Sequence, residues 1–521
     1  MSGKGQRFID AGYADPKPLI RVDGEPIIKH VIDLFPGETD IHCICNREHI
    51  ETGGMRTVLE GYGARVHVIE PHSLGPVHAV SAVLDAIGAA DDEEMIVSYC
   101  DYGTQWDYAG FLTRMREAGA DGGIAAYRGF HPHMLGTDNY AFLRCDQESN
   151  KLLEIREKEP FTDDRMSEFA SNGTYYFRRA GDVRKYFTEV LAAGDAWKKN
   201  GEFYVSLVYN LLVRDGLIVL PYEIKKMLQW GTPKDLREYM LWSEHFKRAA
   251  VGHSVIKHSS ATLVLPMAGR GSRFALVGYD TPKPLLDVNG KAMIVRAVQS
   301  IPECRRKIFI CLNEHLEAYN VKQVLLDEFG TENTQVVGIA DVTEGQACTC
   351  EIGMNEGAVG EDEPVLISAC DNGVDYDEAA YAALEADPTV DVIVWSFTNN
   401  PTSQLYPHMY AWLDVDDATG DIRTVSVKKQ LVGAKHCIIG TMFFRRKSVF
   451  MEGLRKIYAK NIRTNGEFYV DDLLNPLIDA GFKVKVFPVQ AYICWGTPND
   501  YRTYLYWHEY FSEKHGVPAI M

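Results

Sequence analysis

The sequence predicts an α/β protein made of two tandem α/β/α domains, each built round a mainly parallel, mixed sheet. Three observations predict it. The chain of 521 residues repeats itself: 1–24 reads MSGKGQRFIDAGYADPKPLIRVDG, 267–290 reads MAGRGSRFALVGYDTPKPLLDVNG, and 13 of the 24 positions are identical. Within each copy, short apolar runs alternate with stretches of helical period, the pattern of parallel strands joined by crossover helices. A glycine-rich turn follows the first apolar run of the second copy, where such sheets carry their ligand loops.

The register of the repeat orders the elements. In the second copy "ATLVLP" (261–266) is the first strand. "IIKHVIDLF" (27–35) and "MIVRAVQSI" (293–301) carry apolar residues at helical spacing. "IHCIC" pairs with "KIFICL", "ARVHVI" with "TQVVGI", and "EMIVSY" with "PVLISA" as strands. "MIVSYCD" ending at Asp101 matches "VLISACD" ending at Asp371. "NYAFLRCD" (139–146) matches "MYAWLDVD" (409–416), "NGEFYV" recurs at 200–205 and 465–470, and "WGTP" at 230–233 and 495–498. The domains are expected at 1–248 and 259–521, joined by "KRAAVGHSVIKHSSA" (247–261). Met1 falls at the residue matching Met267. Copy 1 is therefore expected to lack the counterpart of "ATLVLP", with a slot beneath its glycine turn, and the natural start is expected upstream of Met1.

Composition narrows the function. A net charge of −18 argues against duplex nucleic acid or an anionic membrane as partner, while leaving room for a small anionic ligand. The 11 cysteines form no Cys-x-x-Cys pair and no zinc spacing. Cys43/Cys45 and Cys348/Cys350 are expected as buried thiols on strands. No uncharged apolar run is long enough to span a bilayer. A reducing, cytoplasmic location is expected.

The chemistry concentrates in two motifs. Gly269, Gly271 and Arg273, with Lys283 between two prolines downstream, form one string; Gly3, Gly5, Arg7 and Lys17 form the other. Two glycines permit a tight turn whose backbone N–H groups make a nest for phosphate oxygens. The guanidinium forks onto phosphate, and the stiffened Pro-Lys-Pro places a second cation. A lone Gly-x-Gly would read as a surface turn. The whole string, repeated at one internal spacing, reads as an anion site. Asp101 and Asp371 end apolar strands. Such a carboxylate either caps the following turn or points into the ligand crevice.

These strings resemble the sugar-phosphate nucleotidyltransferase family, the NDP-sugar pyrophosphorylases, whose signature is G-x-G-[TS]-R-[LF] followed by P-K-P-L. The resemblance covers essentially both halves and implies a Rossmann-like fold of the GT-A type. It implies that the loop wraps the nucleoside triphosphate, that Arg7 and Arg273 position the leaving pyrophosphate, and that Lys17 and Lys283 contact the phosphates. It implies Mg²⁺ on Asp101 and Asp371. The family's second metal Asp, two residues before the Gly of a late Gly-Thr-Pro, is replaced by Gln229 and Cys494. Glu202 and Glu467 are possible substitutes, with a structural role equally open.

"EIREKEP" (154–160) resembles the family's acceptor-binding E-K-P, which implies Glu157 and Lys158; copy 2 keeps Lys428 but has Val427 before it. Gly173 and Gly440 match the glycine of the acceptor pocket. "TEGQA" (343–347) resembles the base-reading loop and implies Gln346, where copy 1 has Pro76. The details resemble a capsule-associated, cytidylyltransferase-like branch. The implied reaction joins an NTP, CTP among the candidates, to a phosphorylated small acceptor and releases pyrophosphate. Two alternatives stay open: a catalytically inactive or regulatory nucleotide-binding tandem protein, and a GT-A glycosyltransferase, which would want a D-x-D motif.

Overall fold

Runs rich in Val, Ile and Phe become strands at matching places in both halves of the computed structural model. It describes every residue except 2, 4, 53, 138, 252–257, 399, 401–402, 404–405 and 516–521. The centre of the expected linker, 252–257, lies outside the described residues. The chain divides into two units, Met1–Met240 and Leu241–Met521.

The first unit contains β1 (His42–Asn46), β2 (Arg65–Ile69), β3 (Met95–Ser98), β4 (Tyr102–Gln105), β5 (Gly122–Tyr127), β6 (Ala141–Cys145), β7 (Leu152–Glu157), β8 (Phe169–Phe177), β9 (Val219–Glu223) and β10 (Lys226–Gln229). β1 and β2 form a parallel ladder of their own. The main sheet runs β9-β5-β8-β6-β7, with β3 also on β8. β9 is parallel to β5, and β8 is antiparallel to its neighbours. β4 and β10 form an antiparallel pair.

The second unit contains β11 (His258–Pro266), β12 (Glu303–Leu312), β13 (Thr334–Ile339), β14 (Val365–Ile367), β15 (Asn372–Asp375), β16 (Val392–Thr398), β17 (Ala411–Val415), β18 (Ile422–Val427), β19 (His436–Phe444), β20 (Val484–Pro488) and β21 (Ala491–Cys494). Here one nine-stranded mixed sheet runs β13-β12-β11-β14-β19-β16-β20, with β17 on β19 and β18 on β17. The stretch β13-β12-β11-β14 is parallel, and β19 is antiparallel to β14, β16 and β17. β15 pairs with β21 as β4 does with β10.

Parallel strands covered on both faces read as continuous apolar runs rather than alternations, and β11 shows why. Leu263 and Leu265 enter one buried cluster with Phe309 and Trp395; Val264, between them, enters the opposite cluster with Ile308, Met354 and Phe450. Each such side chain contributes about 1.5–3 kcal/mol by leaving water. Cys43 and Cys45 are buried on β1 as expected. Cys348 and Cys350 correct the reading: they sit on the helix Gln346–Glu356, where residues two apart do not share a face. Cys350 is buried and Cys348 half-buried, the latter accepting from the Tyr458 hydroxyl at 3.2 Å.

Matching caps fix the helix starts. Asp107 accepts from Gly110 N and Asp377 from Ala380 N, each at 2.9 Å. "WGTP" is also a cap: Thr232 and Thr497 each accept from the N–H of the Asp three residues on, at 3.2 Å. Each returns its hydroxyl to that carboxylate, Asp235 or Asp500, at 2.6 Å. The proline between opens the helix where no N–H is needed. Among the described residues, no helix is long and apolar enough to cross a membrane.

Candidate active sites

Each site begins at its glycine turn. Gly5 (φ 68°) and Gly271 (φ 63°) adopt the left-handed conformation and open the short helices Gln6–Asp10 and Ser272–Ala275. Behind each turn a phenylalanine is buried: Phe8 stacks edge-on to Tyr13 at 5.2 Å, and Phe274 to Tyr279 at 5.4 Å. That anchor leaves Arg7 and Arg273 on the exposed side. A Cβ on Gly5 would lie 3.6 Å from Lys17 Cβ, and one on Gly271 3.4 Å from Lys283 Cβ. The glycine turn and the Pro-Lys-Pro segment therefore pack directly on one another, which explains why they recur as one string. Beside Gly3 and Gly269 the space is open.

The lysines reach the aspartates. Pro16 and Pro282 lead into the single 3-10 turns Lys17–Leu19 and Lys283–Leu285. Lys17 Nζ binds the Asp101 carboxylate and donates to Gly231 O at 3.1 Å. Lys283 Nζ lies 2.6 Å from Asp371 Oδ2. Burial alone would pull the Lys283 ammonium down, but the Asp371 carboxylate outweighs it and holds the group above its ordinary value. Each aspartate lies just beyond its apolar strand and leads into the next: Asp101 into β4 after β3, Asp371 into β15 after β14.

Strand pairing brings up the residue that stands where the resemblance implies a second metal carboxylate. Gln229 is opposite Tyr102, and Cys494 opposite Asn372. Gln229 Oε1 accepts from Gly231 N at 3.0 Å; Cys494 Sγ takes the N–H of Gly496 at 3.4 Å. A Cβ on Gly231 would lie 3.0 Å from Gln229 Oε1 and 3.3 Å from Asp101 Oδ2, and one on Gly496 3.2 Å from Asp371 Oδ2 and 3.5 Å from Cys494 Sγ. Gln229 and Cys494 thus occupy the aspartates' surroundings. Burial, then Asp500 and Asp371, push the Cys494 thiol far up, so it stays protonated, and it donates to Asp500 at 3.5 Å. The first unit offers two oxygen donors suited to Mg²⁺; the second offers one carboxylate beside a neutral thiol.

Among the residues expected to bind the acceptor, Glu157 ends β7 and Lys158 follows with φ 57°, as Lys428 follows β18 with φ 60°. Glu157 is 6% exposed, and Ser206 donates to it at 2.6 Å. Burial pushes its carboxyl up to about 7, with Ser206 and Lys158 opposing. Lys158 Nζ donates to the Tyr204 hydroxyl at 2.7 Å, and Tyr204 donates to the Glu202 carboxylate. Glu202, from the repeated "NGEFYV", is thereby tied to Lys158. In the second unit Lys428 Nζ donates to Met409 O and lies 5.6 Å over the Tyr469 ring. Burial lowers it, Asp471 opposes, and Arg273 adds to the lowering. Gly173 and Gly440 sit at positive φ inside the long strands β8 and β19, beside irregularities of pairing.

Three residues were missed by sequence reasoning. Asp471 stands beside Lys428 with its carboxyl pushed up to about 6 by burial. Tyr204 and Tyr469 lie against Lys158 and Lys428. The available signal was the "NGEFYV" repeat, whose register puts Asp471 opposite Ser206. The loop expected to read the base is bound to that same segment: Phe203 N donates to Leu74 O and Phe468 N to Glu344 O, both at 2.9 Å. Gln346 opens its helix after Gly345, whereas Pro76 offers no N–H in the first unit.

Solved structures similar to this chain include a nucleoside-diphosphate-sugar pyrophosphorylase from Vibrio cholerae RC9, 20% identical, covering 47% of this chain and 100% of that one with a TM-score of 0.39. They also include the inositol-1-phosphate CTP transferase from T. maritima, 16% identical, covering 48% and 98% with a TM-score of 0.38. No curated protein matches the chain. The model of the MobA-like NTP transferase domain matches residues 1–158 and again 263–431, so both glycine turns, both lysines and both aspartates fall within it. The chain belongs to the MobA-like NTP transferase domain family and carries the domain twice.

Proposed function

We propose that the chain is a nucleotidyltransferase that joins an NTP, with CTP favoured, to a phosphorylated small acceptor and releases pyrophosphate, for surface-polysaccharide synthesis in the cytoplasm. The observation that supports this reading is the ammonium–carboxylate pair, Lys17 with Asp101 and Lys283 with Asp371, set against a left-handed glycine turn in both units. A cation and an anion paired in this way are ready to separate when a triphosphate arrives between the turn and the pair.

In the reaction an acceptor phosphate oxygen attacks the α-phosphorus. A P–O bond forms there, the bond to the bridging oxygen breaks, and pyrophosphate leaves with the electron pair. The protein supplies no nucleophile. The turn's N–H groups and Lys283 bind the phosphates, Arg273 holds the departing pyrophosphate, and Lys428 holds the acceptor's phosphate. Mg²⁺, held by Asp371 in the second unit or by Asp101 with Gln229 in the first, would neutralise phosphate charge. The second unit is the favoured site of turnover, because Gln346 stands at its base-reading loop where the first unit has Pro76.

The test is pyrophosphate release from each NTP with Mg²⁺ and a panel of phosphorylated acceptors, sugar 1-phosphates and non-sugar phosphates alike. Release that needs both substrates is expected, fastest with CTP. Tight NTP binding with no release for any acceptor would instead assign a regulatory nucleotide-binding role, to which the neutral Gln229 and Cys494 would be suited.

A further inference from the structure

The two units differ two places before Asp101 and Asp371. The residue there is Tyr99 in the first and Ala369 in the second, and each packs on the glycine that the repeat register pairs with the other, Gly173 on β8 and Gly440 on β19. Tyr99 N donates to Gly173 O at 3.0 Å. A Cβ on Gly173 would lie 2.9 Å from the Tyr99 ring, so the ring comes this close only because the residue is glycine. Gly440 keeps a similar backbone, φ 87° against 100°. Among the described residues, its chain neighbours aside, a Cβ there would meet one atom within 4 Å, Ala369 Cβ at 3.4 Å. The backbone that a phenol ring covers in the first unit is bare in the second.

Burial of the neighbours follows the ring. In the first unit Glu157 is 6% exposed, Tyr204 8% and Ser206 0%. Their counterparts in the second, Val427, Tyr469 and Asp471, are all half-buried. Burial, then Tyr175, Glu157 and Tyr204, push the Tyr99 hydroxyl well above its ordinary value, which sets those three side chains round it. The ring meets Tyr175 edge-on at 5.7 Å, where the second unit has Met442. Tyr204 in turn accepts from Lys158 Nζ at 2.7 Å. Tyr99 therefore stands between the glycine of β8 and the Lys158–Tyr204 pair.

We infer that Tyr99 is an internal plug: its ring fills, in the first unit, the place that Ala369 leaves open beside Gly440, Tyr469 and Asp471 in the second. The inference rests on the proposed reaction only for the identity of the guest, the body of a phosphorylated acceptor held by its phosphate at the lysine. A guest that packs on Gly440 next to Lys428 meets the Tyr99 ring when it approaches Gly173, and close-packed atoms cannot share that space. The first unit then keeps a glycine turn, Lys17 and Asp101 for a nucleotide but excludes the acceptor that the second unit seats. Tyr99 and Ala369 are in this sense the residues that set acceptor specificity, one by its bulk and the other by its lack of it.

The test uses the full chain and three variants, Tyr99→Ala, Tyr99→Phe and Ala369→Tyr, with hydroxyl-radical footprinting read by mass spectrometry at Tyr204 and Tyr469. In the parent Tyr469 is labelled and Tyr204 is protected. Tyr99→Ala raises the labelling of Tyr204 to the level of Tyr469, Tyr99→Phe leaves it protected, and Ala369→Tyr protects Tyr469. Where Tyr99→Ala does not fold, Ala369→Tyr makes the same comparison in the other unit. Tyr204 still protected in folded Tyr99→Ala, Tyr469 still labelled in Ala369→Tyr, or equal labelling in Tyr99→Phe and Tyr99→Ala would overturn the inference. The footprint needs no substrate, so it stands or falls apart from the proposed reaction. With any acceptor that turns over, Ala369→Tyr raises the acceptor's KM by about tenfold or more and leaves the nucleotide's KM unchanged; an unchanged acceptor KM would equally overturn it.

Discussion

In the first unit the Ser206 hydroxyl donates to the Glu157 carboxylate at 2.6 Å, whereas the repeat places Asp471 and Val427 at those two positions in the second. The burial-raised carboxyl lies at the end of a strand beside Lys158, but in the turn after "GEFYV" beside Lys428. Each carboxyl is pushed up by burial, Glu157 to about 7 and Asp471 to about 6. Glu157 beside Lys158 and Asp471 beside Lys428 are thus burial-raised carboxyls drawn from different elements.

Glu157→Gln separates the electrostatic cost from the hydrogen bond. The folded-state value of about 7 is above the ordinary 4.5, so the folded protein keeps a proton that the unfolded chain has released between those pH values. Stability is therefore full below about pH 4.5 and falls as pH rises to about 7, by at most about 3 kcal/mol. The Gln variant keeps an acceptor for Ser206 and loses this dependence. Urea unfolding at pH 5 and pH 8 should show the variant gaining on the parent at the higher pH; a constant difference would contradict the sign.

Lys283→Ala and Asp371→Ala should each lower turnover by roughly a hundredfold, the scale of one lost electrostatic contact of about 3 kcal/mol in the transition state. Lys17→Ala, in the first unit, should cost far less if the second unit does the chemistry. Steady-state pyrophosphate release on all three variants decides between the units.

Gly271→Ala forces a side chain into φ 63° and brings a methyl to 3.4 Å from Lys283 Cβ. The left-handed conformation alone costs about 1–2 kcal/mol for a residue with a Cβ. Denaturant midpoints should fall, and KM for the nucleotide should rise because the turn's N–H groups are re-aimed. An unchanged KM would separate the turn from nucleotide binding.

Cys494→Asp restores a second carboxylate next to Asp371 and close to Asp500. Without a cation three neighbouring carboxyls repel, so the melting temperature should drop below the parent's. Added Mg²⁺ should recover it and bind more tightly than to the parent. Melts with and without MgCl₂ check this; a variant indifferent to Mg²⁺ would show that the cation is not held beside Asp371.

Sequence by itself determined the duplication, the mixed α/β architecture and the Gly-x-Gly and Pro-Lys-Pro strings, because these depend on local properties: period of apolar residues, left-handed turns at glycine, stiffness at proline. Asp101 and Asp371 were legible from the same register, as residues that leave apolar strands. Tertiary structure alone decided who meets whom. Cys348 and Cys350 looked like strand residues until the helix after Gly345 claimed them. Asp471 carried no motif; it became a site residue only because its turn packs beside Lys428. The pairing of β4 with β10 and of β15 with β21 holds Gln229 and Cys494 beside the aspartates, where the resemblance had already implied them. The two strand pairings join residues more than a hundred apart in the chain, and the identity of all these contacts depends on register and burial, which local pattern does not contain.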